Sequence, residues 1–244
     1  MYADAYFFGG IGMKRVKSIL SYFSILDLSL WGSSIVLILF SFFCFDGSRY
    51  LTLAASLIGV TSLIFNAKGN PVGQALIILF SVLYGVISFT VAYYGEMITY
   101  LGMTAPMAVV ALCSWLRNPY QGRRSEVTVN SLKRQEVYFM LGLTLLVTIA
   151  FYFILEAFHT ANLLVSTISV TTTFIAVYLT FRRSPYFTLA YAANDLVLIF
   201  LWSMAAVSDV TCISVVACFV VFFVNDLYGL FNWKKMQVRQ QQEA

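Results

Sequence analysis

Two carboxylates lie where carboxylates are costly. Asp195 sits almost midway along an apolar run at Tyr186–Val207, and Asp226 lies toward the far end of the run at Val210–Phe231. A charged carboxylate at the centre of a membrane helix costs about 2.5–3.5 kcal/mol on insertion scales, so it must face a cavity or a partner. Both occur in one tripeptide, Asn194-Asp195-Leu196 and Asn225-Asp226-Leu227. Asn194 and Asp195 read as lining a polar pathway. For Asn225 and Asp226 two readings stand open, helix-to-helix hydrogen bonding and a gate. Two aspartates on consecutive apolar runs could also share a proton, as in an intramembrane aspartyl protease. Neither stands in the Gly-x-Gly-Asp context of that class, and no other nucleophile–base pair is present.

Helical spacing adds neighbours. Tyr191, Asn194, Asp195 and Trp202 fall on one helix face, and in an earlier run Gln74, Ser81, Tyr84 and Ser88 do the same. A flat heterocycle could stack on Trp202 or Tyr84 while sugar hydroxyls bond Asn194, Gln74 and a carboxylate, the mixture a small-ligand pocket needs. Ser169, Thr171, Thr172 and Thr173 form a hydroxyl patch suited to close helix packing. Glu96 and Glu156 are expected at outer helix ends, in contact with water or lining a vestibule. Tyr93, Tyr94 and Tyr100 are expected in the interfacial aromatic belt. The cysteines Cys44, Cys113, Cys212 and Cys218 form no CxxC pair and read as small buried hydrophobes. With His159 the lone histidine, neither a metal site nor a cofactor is expected.

These residues are carried on helices that cross a bilayer. Of 244 residues, 60% are hydrophobic and 11% charged, against about 25% charged in soluble domains. The polar surface is too small for a water-soluble fold, and a formal charge of +4 with dispersed basic residues excludes a nucleic-acid binder. Apolar runs fall at Leu26–Cys44, Tyr50–Phe65, Pro71–Tyr93, Met97–Leu116, Val137–Leu155, Leu163–Phe181, Tyr186–Val207 and Val210–Phe231. They are continuous, so helices are implied and barrel strands are not. Alternating the connections puts Lys14, Arg15, Lys17, Lys68, Arg117, Arg123, Arg124, Lys133, Arg134, Arg182, Arg183, Lys234, Lys235 and Arg239 on one side, and Arg49 alone on the other. That bias places both termini in the cytoplasm of a multi-pass cell-membrane protein. The first run is read as a retained helix, because no small-x-small cleavage site follows it. The basic loop Arg117 to Glu136 reads as a connector, and the stretches before Arg15 and after Lys235 as loosely ordered tails.

An internal repeat is visible. Asn66-Ala67-Lys68-Gly69-Asn70-Pro71 and Thr180-Phe181-Arg182-Arg183-Ser184-Pro185 each close a run with a basic turn and open the next with proline. Each following run but one ends in tryptophan and cation, Trp115-Leu116-Arg117 and Trp233-Lys234-Lys235. The expected fold is all-α: one extra N-terminal helix, then two parallel three-helix bundles joined by a linker helix. The expected divisions are 1–48 for the tail and extra helix, 49–118 for the first bundle, 119–160 for loop and linker, 161–234 for the second bundle and 235–244 for the tail.

On these motifs, with Tyr94-Gly95-Glu96-Met97-Ile98-Thr99-Tyr100-Leu101-Gly102-Met103, Tyr191-Ala192-Ala193-Asn194-Asp195 and Asn225-Asp226-Leu227-Tyr228-Gly229, the chain resembles the PnuC vitamin transporters. The resemblance covers roughly Leu51 to Met236. It implies an architecture similar to full-length SWEET sugar transporters and facilitated uptake of a nucleoside-like vitamin, typically nicotinamide riboside, trapped inside by a separate kinase. A homo-oligomer, trimer or dimer, would also be in keeping. The WxxW pair typical of the riboside carriers is absent; Ile199 stands three residues before Trp202. Deoxynucleosides are therefore the rival cargo, and a membrane receptor or structural protein the rival class.

Overall fold

The structure, a computed structural model, describes residues 22–243. Lys14, Arg15, Lys17 and the expected N-terminal tail lie outside the described residues. Eight helices among the described residues are long and apolar enough to cross a membrane: α1 (Ile25–Asp46), α2 (Tyr50–Ala67), α3 (Pro71–Thr90), α4 (Tyr94–Arg117), α5 (Arg134–Ala157), α6 (Leu163–Phe181), α7 (Phe187–Ser208) and α8 (Val210–Gln242). Asn70 caps α3 through its side chain, which accepts from Val72 N–H, and Pro71 fills the first turn, where a missing N–H costs nothing. In α4 the helix widens at Tyr100–Thr104 into i→i+5 bonding, next to Pro106, whose ring removes a backbone donor.

Helices α2, α3 and α4 form one triple, and α6, α7 and α8 another. The outer helices cross-pack, α2 against α8 and α4 against α6. Close approach of α2 and α8 needs Gly59, since a Cβ there would enter the ring of Phe222. Helix α5 packs on α6 with most of its length facing outward, and α1 packs on α2 and α8. Asp27 anchors α1: it completes a capping box with Ser24, accepts from Lys68 Nζ at 3.0 Å and from the Tyr228 hydroxyl at 2.7 Å.

At the basic end the two triples are bound by a reciprocal pair of contacts. Trp115 Nε1, near the end of α4, donates to the Thr180 carbonyl of α6 at 2.9 Å, and Trp233 Nε1 of α8 donates to the Asn66 carbonyl of α2 at 2.7 Å. The two buried indoles meet at 5.4 Å. Each carbonyl also accepts from its following turn, Asn66 from Gly69 N–H at 2.9 Å and Thr180 from Arg183 N–H at 3.0 Å. The turns match as well: Gly69 has φ +65° and Arg183 φ +56°. The repeat read in the sequence thus has a physical counterpart in backbone shape and in partner choice.

Three expectations are corrected here. The Arg117–Glu136 loop is more than a connector, the residues after Lys235 are not a loose tail, and two of the cysteines are not buried. A hairpin of β1 (Pro119–Tyr120) and β2 (Arg123–Val127) turns through Gln121 and Gly122, both at positive φ as a two-residue hairpin requires. The loop laces the basic end: Val127 N–H bonds the Gly69 carbonyl, Asn130 N–H the Arg183 carbonyl, and Val129 N–H the Gln240 side chain. Residues 235–242, expected as tail, continue α8 because this strap gives them a surface to pack on; Gln240 is buried against Val127 and Glu126. Cys44 and Cys113 are exposed on the apolar outside, whereas Cys212 and Cys218 are buried; lipid accepts a small thiol as readily as a core does.

At the opposite end Arg49 and Asp209 pair at 2.5 Å, joining the α1–α2 connection to the α7–α8 connection. The Thr211 hydroxyl, then the Arg49 guanidinium, hold the Asp209 carboxyl below the usual aspartate value. With the folded value lowered, this tie is present above the ordinary aspartate value and is lost as pH falls through the lowered one.

Replacing Trp115 or Trp233 by phenylalanine removes one indole bond between the triples and should cost about 1 kcal/mol each. The thermal transition in detergent checks this: both variants should unfold several degrees early, while Cys113→Ser should not move. An unchanged transition in both tryptophan variants would show that the triples are held elsewhere.

Candidate functional site

Between the triples lies a small buried chamber. Its wall takes Leu63 and Asn66 from α2, Ile77, Phe80 and Ser81 from α3, and Tyr100 and Thr104 from α4. The other triple supplies Phe187, Tyr191, Asn194 and Asp195 from α7, and Phe219, Phe222 and Asp226 from α8. The chamber is contracted to about 30 Å³, the share of a single water in the liquid. A drug-sized guest needs several hundred Å³, so a solute must displace the rings of Phe80, Tyr100 and Phe222 or part the triples.

Hydrogen bonds orient the polar groups. Asn194 Oδ1 accepts from the hydroxyls of Thr172 at 2.8 Å, Thr173 at 3.0 Å and Ser169 at 3.4 Å. With its carbonyl held by α6, the amide presents its N–H₂ group, so Asn194 is a donor toward an acceptor on a guest. The hydroxyl patch read as helix packing therefore also aims Asn194. Across the chamber Gln74 Nε2 donates to Asn66 Oδ1 at 2.9 Å, which fixes Asn66 in the same donor sense. Asp195 and Asp226 face each other within hydrogen-bonding reach, and Asp195 Oδ2 has no partner among the described residues. The Ser81 hydroxyl is likewise buried without a partner.

Aromatic layers close both ends. Toward the basic end, Phe187 packs on Trp233 at 4.9 Å and on Trp115 at 6.1 Å. Toward the other end, Tyr84 packs on Tyr100 at 4.3 Å, and Trp202 meets Tyr93 edge-on at 5.1 Å. Trp202 Nε1 donates to the Tyr84 hydroxyl at 2.5 Å.

Of the residues expected at the site, Ser81, Tyr191, Asn194 and Asp195 come together in the wall, and Asp226 joins them from the gate pair. Gln74 stands behind Asn66. Tyr84 and Trp202 lie one layer away, in the plug, because a helix face shared by Asp195 and Trp202 runs past the chamber by two turns. Ser88 is buried beyond the wall with its hydroxyl unpartnered. Asn225 turns away from the chamber: its Nδ2 donates to Ser34 Oγ of α1 at 3.0 Å, which is helix pairing.

Two expectations are corrected. Tyr100 and Tyr93 are buried in the interior, not ranged in an aromatic belt, and Tyr100 is part of the chamber. Glu96 is fully buried, with neither carboxyl oxygen partnered among the described residues, because α4 enters beneath the α5–α6 connection and presses Gly95 toward Thr160. Asn66, Phe80 and Phe222 were not picked out as wall residues. Asn66 stood in the repeated turn motif, which was the available signal; the two phenylalanines carried none in so apolar a chain.

A chamber with polar groups fixed toward it, set between two helix triples and sealed at each end by aromatic rings, defines a polytopic membrane transporter. Residues 49–235 match the family described as "Nicotinamide mononucleotide transporter", and the chain belongs to this PnuC transporter family. It is 24% identical over 202 residues to the nicotinamide riboside transporter PnuC of Neisseria mucosa, a match covering 81% of this chain and 76% of that protein. The fold is similar to that in a crystal structure of the vitamin B3 transporter PnuC, with TM-score 0.79 and 19% identity, across 89% of this chain and 94% of that one. These relatives are transporters and not enzymes. Helix α1 ends before the family match begins and lies wholly outside it.

The plug makes a prediction independent of any solute. Tyr84→Phe leaves the buried Trp202 N–H without an acceptor, at a cost of about 1–3 kcal/mol. Thermal unfolding in detergent should fall accordingly, and Tyr94→Phe, at a partly exposed position, should leave it unchanged. Equal behaviour of the two variants would contradict the assigned bond.

Proposed function

We propose that this protein carries a nucleoside-like form of vitamin B3, nicotinamide riboside, into the cell by facilitated diffusion. The two triples act as parallel halves of the SWEET type and part alternately at either end. The reciprocal tryptophan contacts support this reading, since they relate the halves by one exchange of partners. The basic end, carrying Lys68, Arg182, Arg183, Lys234 and Lys235, is taken as cytoplasmic, with both termini on that side of the cell membrane. The observation that carries the proposal is the chamber itself: fixed amide donors from both triples, Asn66 and Asn194, line it among aromatic rings.

Such a chamber suits a ring joined to a sugar. Phe80, Tyr100 and Phe222 offer faces to a flat heterocycle, and the amides with Ser81 and Asp195 offer donors and acceptors to hydroxyl and carboxamide groups. Nothing in it performs chemistry on the solute, so retention inside would need a cytosolic kinase that adds a phosphate. Deoxynucleosides share the shape, and their case rests on Trp202, which stands without a WxxW partner and off the chamber wall.

Titration calorimetry in detergent, with uptake into vesicles, tests the proposal. Nicotinamide riboside should bind and enter until its concentrations are equal on the two sides, at a rate indifferent to an imposed pH gradient. Asn194→Ala should weaken binding about tenfold, the loss of one buried hydrogen bond. Preferred binding of deoxynucleosides would replace the cargo, and accumulation above the external concentration would overturn facilitated diffusion.

A further inference from the structure

Asp195 and Asp226 present a problem of charge. Both are buried, they face each other across α7 and α8, and the chamber wall includes no lysine, arginine or histidine. The described lysines and arginines stand in connections, near helix ends or in the final turns of α8. Around the pair the neighbouring elements place only uncharged groups: Asn66 of α2, Ser81 of α3, Tyr100 of α4, Tyr191 of α7 and Cys218 of α8. Two carboxylates in contact in a poorly solvated site cannot both ionise, so one proton between them is the stable arrangement. That arrangement leaves one negative charge, with Asp195 Oδ2 unpartnered at the chamber. Glu96, buried near the start of α4, is a third carboxyl group with no cation partnered to it among the described residues.

We propose that the Asp195–Asp226 pair determines specificity by charge, selecting a cationic N-ribosyl heterocycle over a neutral one of the same shape. The proposal rests on the reading that a nucleoside-like solute occupies the chamber, and it adds what the amides and rings do not supply. Hydrogen-bond donors and aromatic faces serve neutral and charged bases alike. A net negative pair in a site of low dielectric favours a ring bearing a full positive charge, and it disfavours bringing in a neutral ring that leaves the charge uncompensated. The counter-charge to a costly buried carboxylate is then the cargo itself.

The test uses two probes that differ in ring charge and hardly in shape: nicotinamide riboside, a pyridinium cation, and its neutral 1,4-dihydro form. Both are titrated at pH 7 into the full chain in detergent. The wild-type protein should bind the cation at least about tenfold more tightly. The double variant Asp195→Asn/Asp226→Asn, which removes both acids, should lose that preference. Asp226→Glu, which keeps the acid, should retain it. Equal wild-type affinities would overturn the charge assignment and leave the reading of the chamber intact, as would a preference that survives in the double asparagine variant. Binding of neither probe would overturn both. The wild-type comparison decides by itself if a variant fails to fold.

Discussion

Inside a hydrocarbon layer a polar atom has no water to turn to, so each one must be satisfied by another part of the chain. This constraint organises the protein. The indoles of Trp115 and Trp233 reach carbonyls on the opposite triple, and the Asn194 carbonyl is held by three hydroxyls of α6. Gln74 ties Asn66, and Asn225 ties α1 to α8. Side chains that would be merely tolerated on a soluble surface act here as the fasteners between helices. Among the groups left without partners, Ser81 and Asp195 line the chamber.

The same constraint explains why the chamber is small and closed. Apolar rings gain by contact with each other, and Phe80, Tyr100, Phe219 and Phe222 converge from both triples. The aromatic layers on either side are bound differently. The basic-end layer bridges the triples through two indole bonds, whereas the other layer rests on the bonds from Trp202 to Tyr84 and from the Tyr93 hydroxyl to the Leu201 carbonyl, with Arg49–Asp209 near the surface. The two layers share no bond, which is what the alternating access proposed above requires.

Much of this was legible in the chain. Eight apolar runs became eight helices, since a continuous run of that length has few other stable forms. The proline-opened basic turns and the closing tryptophans marked a repeat that the hydrogen bonds reproduce. Asn194 and Asp195 were conspicuous because polar groups at that depth are costly. What stayed hidden depends on partners distant in sequence. A helical face shows which side a residue takes but not whether the neighbour opposite is wall or plug, so Trp202 was set too close to the site. The wide turn at Tyr100–Thr104 rotates Tyr100 inward, and a regular helical count cannot anticipate it. Glu96 looked like a solvated helix end because the α5–α6 connection that covers it lies some sixty residues away. Residues 235–242 looked like tail because the strap that orders them belongs to another part of the chain.

The central claim is that the triples must part at the basic end for solute to pass. An added Cβ at Gly229 of α8 would stand 3.8 Å from the Cβ of Ala67 of α2, the separation a disulfide spans. The direct measurement is uptake by vesicles containing Ala67→Cys/Gly229→Cys, with the four native cysteines replaced, before and after oxidation. The account requires uptake to stop on oxidation and return on reduction. Undiminished uptake by the cross-linked protein would contradict it.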